Sequence, residues 1–347
     1  MERARRRQRE LVKPPGSLGR LEEIAIRVAG MTGEDRTHAE RKLVLIFAAD
    51  HGVTVEGVSA YPSAVTAQMV HAFAAGTAAV SVLARHAGAE IVVVDVGVAS
   101  PLASDLPIEH RKVRWGTRSF MDGPAMRRAE AVTAMHAGMA VVDARRADGI
   151  DLLALGEMGI GNTTAAAAVT AALLDLDPER VVGPGTGLDE VGVARKHTVI
   201  RRALAANHPD ACDAIGVLAA VGGLEIAALT GAMIRAAAAR IPIVLDGFIT
   251  GSAALAAARL APGLAPYLIA AHRSPEPGHE PILAALGLRP LVELDMRLGE
   301  ASGAVLAFGI IDAALAIHNT MGTFAESGVS EPVGRATVGS THQPAIS

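Results

Sequence analysis

The sequence is poor in aromatic residues and in cysteine, and both shortages restrict what the protein can be. Phe, Trp and Tyr make up 3% of the 347 residues while hydrophobic residues make up half, so a core must be built from Ala, Val, Leu and Ile. Cys212 is the only cysteine, which excludes a disulfide framework and a cysteine cluster for zinc or iron–sulfur. A chain of this length buries about three quarters of the surface of its unfolded form and needs no such cross-link.

The sequence also lacks an excess of charge of either sign, with 32 basic and 36 acidic residues, which argues against nucleic acid as the main partner. Five arginines between Arg3 and Arg9 indicate a solvated helix face or a frayed arm. They lead into KPPGSLGRLEE without the apolar region of a signal peptide. Residues 57–84 carry no charge, but Pro62, Gln68 and His71 favour a buried amphipathic pattern over a membrane span. We expect a soluble, cytoplasmic protein.

Short apolar runs alternate with longer Ala-rich segments of helical character. The predicted strands are KLVLIFAA from Lys42, EIVVVDVGV from Glu90, DLLALG from Asp151, IPIVLDG from Ile241, APYLIAA from Ala265 and PLVELDM from Pro290. Their apolar residues do not strictly alternate with polar ones, as is typical of strands covered by helices on both faces. The pattern predicts an α/β fold with a doubly wound, mostly parallel sheet.

Two regions depart from this alternation. Residues 1–40 offer one helix, SLGRLEEIAIRVAGM, with Ser17 as its expected N-cap, and three helical segments follow one another in 189–240. We predict part of a small helical domain in 1–40 and a large α/β domain in 41–320 with a helical insertion around 189–240. A C-terminal segment, 321–347, is expected to return to the small domain and to end in a polar tail from Glu326.

Ligands of open α/β sheets bind beyond the carboxyl ends of the strands, where this sequence has glycine-rich polar loops. In GEMGIGNTT, Gly159 and Gly161 would allow close backbone approach, while Asn162, Thr163 and Thr164 could cap a helix. This pattern indicates an anion site, most naturally for phosphate, although a tight turn with an ordinary Asn cap is the alternative. The loop is not a Walker A motif, and GPGTGL is not a dinucleotide fingerprint.

Two carboxylates stand out because glycine flanks them. Glu300 follows Gly299 at the expected end of a strand and precedes an apolar helix, and Glu157 follows Gly156. Such a Glu either complements the helix dipole or, when desolvated, has a raised pKa that suits a general base. Asp50-His51, His272 and His279 are interpreted as groups that shape the pocket, and no metal site is expected.

The combination of these segments resembles one enzyme family, the nicotinate-nucleotide–dimethylbenzimidazole phosphoribosyltransferases of cobalamin biosynthesis. The matching segments are KPPGSLGRLE, ADHGV..EGVS.YP..VT, GEMGIGNTT, VLDGF..GSAALAA, HRSPEPGH and MRLGEASGA, in order from residue 13 to about 320. The resemblance implies a Rossmann-like large domain, a small helical domain and a homodimer. It implies transfer of phosphoribose from nicotinate mononucleotide to 5,6-dimethylbenzimidazole, without a cofactor.

The resemblance also implies site residues. Glu300 matches the general base, and Glu157 and Lys196 match charged residues at the reacting groups. Ser274 and the loop from Gly159 to Thr163, with Gly161 and Asn162, match phosphate positions, and Leu298 matches the base pocket. Tyr61 and Met69 fall where some members carry Ser and Gln, which makes the adjacent Gln68 another candidate. Asp246 and Gly247 of VLDGF are expected among the substrate-binding residues.

The chemistry of this reaction needs no metal, because the pyridinium of the donor leaves as a neutral ring nitrogen. A carboxylate can accept the N–H proton of the attacking benzimidazole. Two other functions are compatible with the same sheet: a nucleotide-dependent oxidoreductase and a binding module without turnover. Glu157 and Glu300 argue against the binding module, which has no need of two carboxylates in glycine-bounded loops.

Overall fold

The structure is a computed structural model that describes residues 1–330. Its strands are β1 (Lys42–Ala49), β2 (Ala89–Gly97), β3 (Glu109–His110), β4 (Leu152–Met158), β5 (Ile243–Leu245) and β6 (Leu268–Ala270). They form one parallel sheet in the order β3-β2-β1-β4-β5-β6. This is the Rossmann order, in which the chain reverses direction across the sheet between β1 and β4. Ligands are therefore expected beyond the carboxyl ends of these two strands.

Helices cover both faces of the sheet. They are α1 (Glu2–Glu10), α2 (Arg20–Thr32), α3 (Ala64–Ala74), α4 (Ala79–Ala87), α5 (Arg128–Arg146), α6 (Asn162–Leu174), α7 (Glu190–Asn207), α8 (Ala214–Val221), α9 (Leu224–Ala238), α10 (Phe248–Leu260), α11 (His279–Leu286), α12 (Ser302–Thr320) and α13 (Phe324–Ser327). Helices α3, α4 and α12 pack on one face, and α9 and α10 pack on the other.

The side chains of β1 alternate between the two cores. Leu45 and Phe47 join the core under α9 and α10, whereas Val44 and Ile46 join the core under α12. Successive side chains of a strand point to opposite faces, so a central strand with two covered faces must be apolar throughout. The predicted doubly wound, Rossmann-like α/β sheet is confirmed.

One predicted strand is wrong and one real strand was not predicted. The run from Pro290 contributes only a single bridge, between Val292 and His272. Leu294 is 54% exposed and Asp295 has a φ of 52°, so the chain leaves the sheet there although its sequence is apolar. Glu300 consequently follows a loop and not a strand. Strand β3 has two residues, too few to give a periodic signal.

The N-terminal arginines lie on α1, so of the two expected alternatives, a solvated helix face and a frayed arm, the structure has the helix. Arg7 donates hydrogen bonds to the carbonyl oxygens of His318, Asn319 and Met321 at the end of α12. Cations stabilise helix C-termini in this way. Helix α2 begins at Arg20 with Gly19 as its N-cap, so the prediction of Ser17 was wrong.

The chain's start also meets the segment after α12, where Leu11 and Thr323 form an antiparallel bridge. Among the helices of 189–240, α9 packs directly on β1, β2 and β4. The division into a small and a large domain stays a prediction. The expected polar tail lies mostly outside the described residues.

Two stretches, Ala64–Ala87 and Ser302–Thr320, are apolar and long enough to cross a membrane by length and composition alone. The first is not one helix, because α3 ends at Ala74 and α4 begins at Ala79. The second is α12, half of which is buried inside the protein. Both belong to the helical layer on one face of the sheet.

A glycine in β4 brings the loop before α12 against the sheet. A Cβ atom added to Gly156 would lie 2.5 Å from the carbonyl carbon of Glu300 and 2.6 Å from the nitrogen of Ala301. Both neighbours are backbone atoms, which cannot turn aside as a side chain can. Gly156 therefore determines how closely Glu300 approaches the end of β4.

We expect Gly156→Ala to lower the free energy of unfolding by about 1–3 kcal/mol, because the new methyl group must displace that backbone. Gly309→Ala is the matched control, since Gly309 is an exposed glycine inside α12 with open space around its Cα. It should stabilise the helix by about 0.5–1 kcal/mol. Urea unfolding of both variants measures the difference; equal stabilities would show that the close approach imposes no constraint.

Candidate functional site

A cavity of about 740 Å³ lies beyond the carboxyl ends of β4, β5 and β6. Most of the residues predicted from the sequence line it: Tyr61, Met69, Glu157, Gly159, Asn162, Thr163, Asp246, Gly247, Ser274, Leu298 and Glu300. These residues come from five separate segments of the chain. The cavity begins at β4, next to the reversal of the strand order, but it extends over β5 and β6 and not over the end of β1, where the strand order alone would place a ligand.

Lys196, Gly161 and Gln68 do not line the cavity. Lys196 is fully buried behind Thr163, to whose Oγ1 its Nζ donates a hydrogen bond of 2.9 Å. Gly161 is the N-cap of α6 with a φ of 93°, and a Cβ there would meet Thr54. Gln68 is exposed on α3, whereas the neighbouring Met69 faces the cavity.

Glu300 lies in a left-handed stretch of backbone at the cavity. Gly299, Glu300 and Ala301 have φ values of 84°, 66° and 74°, and the last two are strained because their side chains disfavour this region. The Glu300 N–H faces Oε1 of Glu157 at 3.4 Å. Its own carboxylate is buried, and Oε2 has no hydrogen-bond partner. Burial raises the pKa of Glu300 to about 7.

Asp246 holds this stretch in place. Its Oδ1 accepts hydrogen bonds from the backbone N–H groups of Gly303 and Ala304, at 2.7 and 3.0 Å. It thus caps α12 from the end of β5, a contact between distant segments that replaces a local N-cap. Burial raises the pKa of Asp246 to about 7, against the lowering effect of these N–H groups, and the charge of Glu300 raises it further.

Glu157 is the third carboxylate at this end of the cavity. Its Oε2 accepts a hydrogen bond of 2.5 Å from Nδ2 of Asn162. Burial raises its pKa to about 8, and the negative charge of Asp246 adds to the effect. Three buried carboxylates near one another favour a ligand that brings positive charge. Asn162 serves Glu157 and does not cap α6, so the predicted cap was wrong.

The adjoining wall is suited to an anion. Helix α6 begins here without any side-chain cap, so its positive end faces the cavity at Thr163. Arg297, which stands in MRLGE but is not among the predicted site residues, also lines the cavity, and its Nη1 donates to the carbonyl of Gly185.

Gly159 is needed for a reason other than ligand approach. A Cβ there would overlap the carbonyl oxygen of Ala49 at the end of β1, so a larger residue would push the loop away from the sheet. Gly161, with its positive φ, likewise shapes the turn. The two glycines therefore place the start of α6 by packing and backbone conformation.

The remaining wall is apolar. Tyr61, Val65, Met69 and Leu298 line it, and Tyr61 and Leu298 are 54% and 56% exposed. Val65 and Met69 are four residues apart on α3 and so share one face, a spacing that could have separated Met69 from Gln68 in the sequence. A flat aromatic ligand fits such a wall.

The histidines of the predicted pocket loops have varied partners. His51, fully buried, contacts Oε1 of Glu225 through Nε2 at 2.6 Å, and Glu225 had no signal in the sequence. His279 accepts the N–H of Ser274 at Nδ1, and burial lowers its pKa to about 3. His272 lines the cavity beside Asp246. Among residues 1–330, no three His, Cys, Asp or Glu side chains are grouped as ligands of a metal ion.

The raised pKa of Glu157 has a consequence for stability. Since the folded protein holds this proton more tightly than the unfolded chain, the contribution of Glu157 to stability is full below the unfolded pKa of about 4.5 and is lost as pH rises through about 8. We expect Glu157→Gln, which can still accept the Asn162 hydrogen bond, to be more stable than the wild type at about pH 8.5. Near pH 5 the two should be nearly equal.

The control for this prediction is Asp213→Asn, since a hydrogen bond from Arg128 lowers the pKa of Asp213. At high pH, Asp213→Asn should therefore be less stable than the wild type, whereas Glu157→Gln should be more stable. Thermal unfolding across this pH range compares the variants. A Glu157→Gln variant less stable than the wild type at high pH would contradict the burial of an uncompensated charge.

Comparison with known proteins agrees with this geometry. A model of the family described as Phosphoribosyltransferase matches residues 1–329. The nicotinate-nucleotide–dimethylbenzimidazole phosphoribosyltransferase of Chloroflexus aggregans is 52% identical, with 94% of this chain and 93% of that protein covered. That of Desulforudis audaxviator is 51% identical, with coverage of 95% and 94%. The crystal structure of CobT from Thermus thermophilus superposes with a TM-score of 0.92 at 49% identity, covering 95% and 99% of the two chains. The chain belongs to the nicotinate-nucleotide–dimethylbenzimidazole phosphoribosyltransferase family.

Proposed function

We propose that this protein transfers the phosphoribosyl group of nicotinate mononucleotide to 5,6-dimethylbenzimidazole, giving α-ribazole 5′-phosphate and nicotinate. The observation that carries the proposal is the buried carboxylate of Glu300, which faces the cavity with one oxygen free of hydrogen bonds. Membership of the family supplies the identity of the substrates, and the cavity offers a suitable place for each of their parts.

The acceptor ring fits the apolar wall formed by Tyr61, Met69 and Leu298. One ring nitrogen attacks C1′ of the donor, and the ring's N–H becomes acidic as positive charge develops. Glu300 accepts this proton, and its pKa of about 7 is matched to a base that works near neutral pH. The strained backbone at Glu300 holds the carboxylate in one place and thereby reduces the reorganisation that proton transfer would need.

The donor's phosphate fits the positive start of α6, near Thr163, Ser274 and Arg297. Its pyridinium ring then faces the carboxylate end of the cavity, where Glu157 and Asp246 lie. A cation there lowers the pKa of these buried acids and is itself stabilised by their ionised forms. The bond from C1′ to the pyridinium nitrogen breaks with its electron pair going to the ring, which leaves as neutral-ring nicotinate, and attack from the opposite face inverts C1′ from β to α.

The direct test is incubation of the purified protein with nicotinate mononucleotide and 5,6-dimethylbenzimidazole, followed by chromatography. Formation of α-ribazole 5′-phosphate with one nicotinate per turnover is expected. Tight binding of nicotinate mononucleotide without any turnover would instead support a binding module. The homodimer and the cytoplasmic location stay predictions from the resemblance and the composition.

Glu300→Gln should lower kcat by about 10²–10⁴-fold, because glutamine keeps the size but cannot accept the proton. For the wild type, kcat/KM should rise with pH through about 7, the range in which Glu300 loses its proton. Steady-state kinetics with both proteins over this range are the measurement. If Glu300→Gln retained half of the activity, or if its kcat/KM still rose with pH through about 7, Glu300 would not be the base.

Tyr61→Ser should reduce the preference for dimethylbenzimidazole over a polar purine such as adenine, measured as the ratio of kcat/KM values. Contacts of an aromatic ring or thioether with a flat ligand are worth about 0.5–1.5 kcal/mol each. Met69→Ala should act in the same direction, whereas Gln68→Ala, the adjacent position outside the cavity, should leave the ratio unchanged. Competition between the two bases measures it, and an unchanged ratio in Tyr61→Ser would show that Tyr61 only packs at the turn.

A further inference from the structure

Glu276 is a buried carboxylate in the cavity wall to which the proposed reaction assigns no task. It is 6% exposed and follows β6 in the loop before α11. Its position is well defined, because its N–H donates to Oγ of Ser274 and its carbonyl accepts the N–H of His279. A charged side chain is rarely buried to this extent without a compensating group.

The carboxylate contacts a backbone segment, residues 183–185, before α7. Oε1 accepts the N–H of Gly185 at 2.9 Å, and Oε2 is buried without a hydrogen-bond partner. A Cβ atom on Gly183 would overlap Oε2, so only glycine admits this contact. The hydrogen bond to Gly185 accounts for one oxygen and leaves the negative charge uncompensated by local contacts.

The compensating charge lies on the other side of the same segment. Nζ of Lys196 donates to the carbonyl oxygen of Gly183 at 3.1 Å and to Oγ1 of Thr163 at 2.9 Å. A Cβ atom on Gly185 would lie 3.2 Å from this Nζ. Residues 183–185 are therefore held between a buried carboxylate and a buried ammonium group, and the ammonium group touches the start of α6.

We propose that Glu276 is a positioning residue that keeps Lys196 protonated and thereby maintains positive charge behind Thr163, where the donor's phosphate binds. This inference rests on the proposed function. Burial lowers the pKa of Lys196 and the negative charge of Glu276 partly opposes it, so that with both effects the pKa is about 8. Without Glu276, the ammonium group would lose its proton at a lower pH, and the wall beside the phosphate would lose one of its positive charges.

The charged and polar groups that face Lys196 come from three segments. Glu276 approaches from the loop before α11, Thr163 from α6, and the carbonyl of Gly183 from the segment before α7. Arg297 contacts the same segment through the carbonyl of Gly185. Glu276 is thus the group whose charge opposes the effect of burial on Lys196.

Glu276→Gln tests the charge separately from the shape, because glutamine can still accept the Gly185 N–H. We expect its KM for nicotinate mononucleotide to be near that of the wild type at about pH 6 and at least about tenfold higher at about pH 8, the effect of losing a charge-assisted hydrogen bond. In the wild type the same rise should occur at higher pH. At saturating donor, kcat should change less than KM, and a merely structural role would give no such dependence on pH.

Lys196→Met and the double variant with Glu276→Gln make the test specific. Lys196→Met should have a high donor KM at every pH, and adding Glu276→Gln should raise it no further, since the carboxylate acts through the lysine. Glu280→Gln is the control: its exposed carboxylate lies on α11 and pairs with Arg273, and the pH dependence should not change. Additive effects in the double variant would overturn the proposal.

The wild type alone also provides a test that does not depend on folding of the variants. Its donor KM should increase between about pH 7 and pH 9 as the buried ammonium loses its proton. A constant KM over this range, in an enzyme that turns over normally, would contradict the proposal and leave the proposed function intact. Absence of any turnover with both substrates would instead contradict the proposed function.

Discussion

Asp246 accepts two backbone N–H groups at the start of α12, and the arrangement of the site depends on this contact. Helix α12 has no local side-chain cap, because its N-cap residue is Ala301 in a left-handed conformation. A carboxylate from the end of β5 takes that place and ties the helix to the sheet. Gly156 of β4 completes the attachment by admitting the backbone of Glu300. The proposed base is therefore positioned by two strands that lie far before it in the chain.

This attachment concentrates negative charge in a buried place. Glu157, Asp246 and Glu300 all have raised pKa values, first of all because of burial. Such a cluster costs stability at neutral pH, when the acids would ionise in water. A protein selected for stability alone would place apolar or amide side chains here. This loss of stability has a function if the ligand carries a pyridinium ring, because the positive charge of the substrate then compensates the buried carboxylates.

The sequence predicted every strand of the sheet except the short edge strand β3, and it also predicted a strand after Pro290 that the sheet does not contain. Strands such as β1 are covered on both faces, and the resulting apolar runs are visible without a structure. PLVELDM from Pro290 has a similar apolar content, yet Leu294 is exposed, because no local signal tells whether helices will cover a run. Strand β3 depends on pairing with β2 and has no signal of its own.

The candidate site shows the same distinction between local and distant information. An adjacent glycine made Glu157 and Glu300 recognisable, because close backbone packing requires glycine and glycine is visible in the sequence. Glu225 and Glu276 have no adjacent glycine: Glu225 lies in the first turn of a helix, and Glu276 lies in a polar loop. Their importance arises from partners far along the chain, His51 and Lys196, which only folding brings near.

A Rossmann strand order without a dinucleotide fingerprint illustrates how little the fold determines the ligand. The carboxyl ends of β4, β5 and β6 border the cavity, and the loops decide what fills it. Here GEMGIGNTT places an uncapped helix start beside buried Lys196, MRLGE places the proposed base beside two other carboxylates, and α3 supplies part of an apolar wall. An anion, a cationic ring and a flat neutral ring can thus lie side by side. These are the phosphate and pyridinium of nicotinate mononucleotide and the ring of the benzimidazole that replaces its base, so the loops of the site, and not the sheet, determine the function.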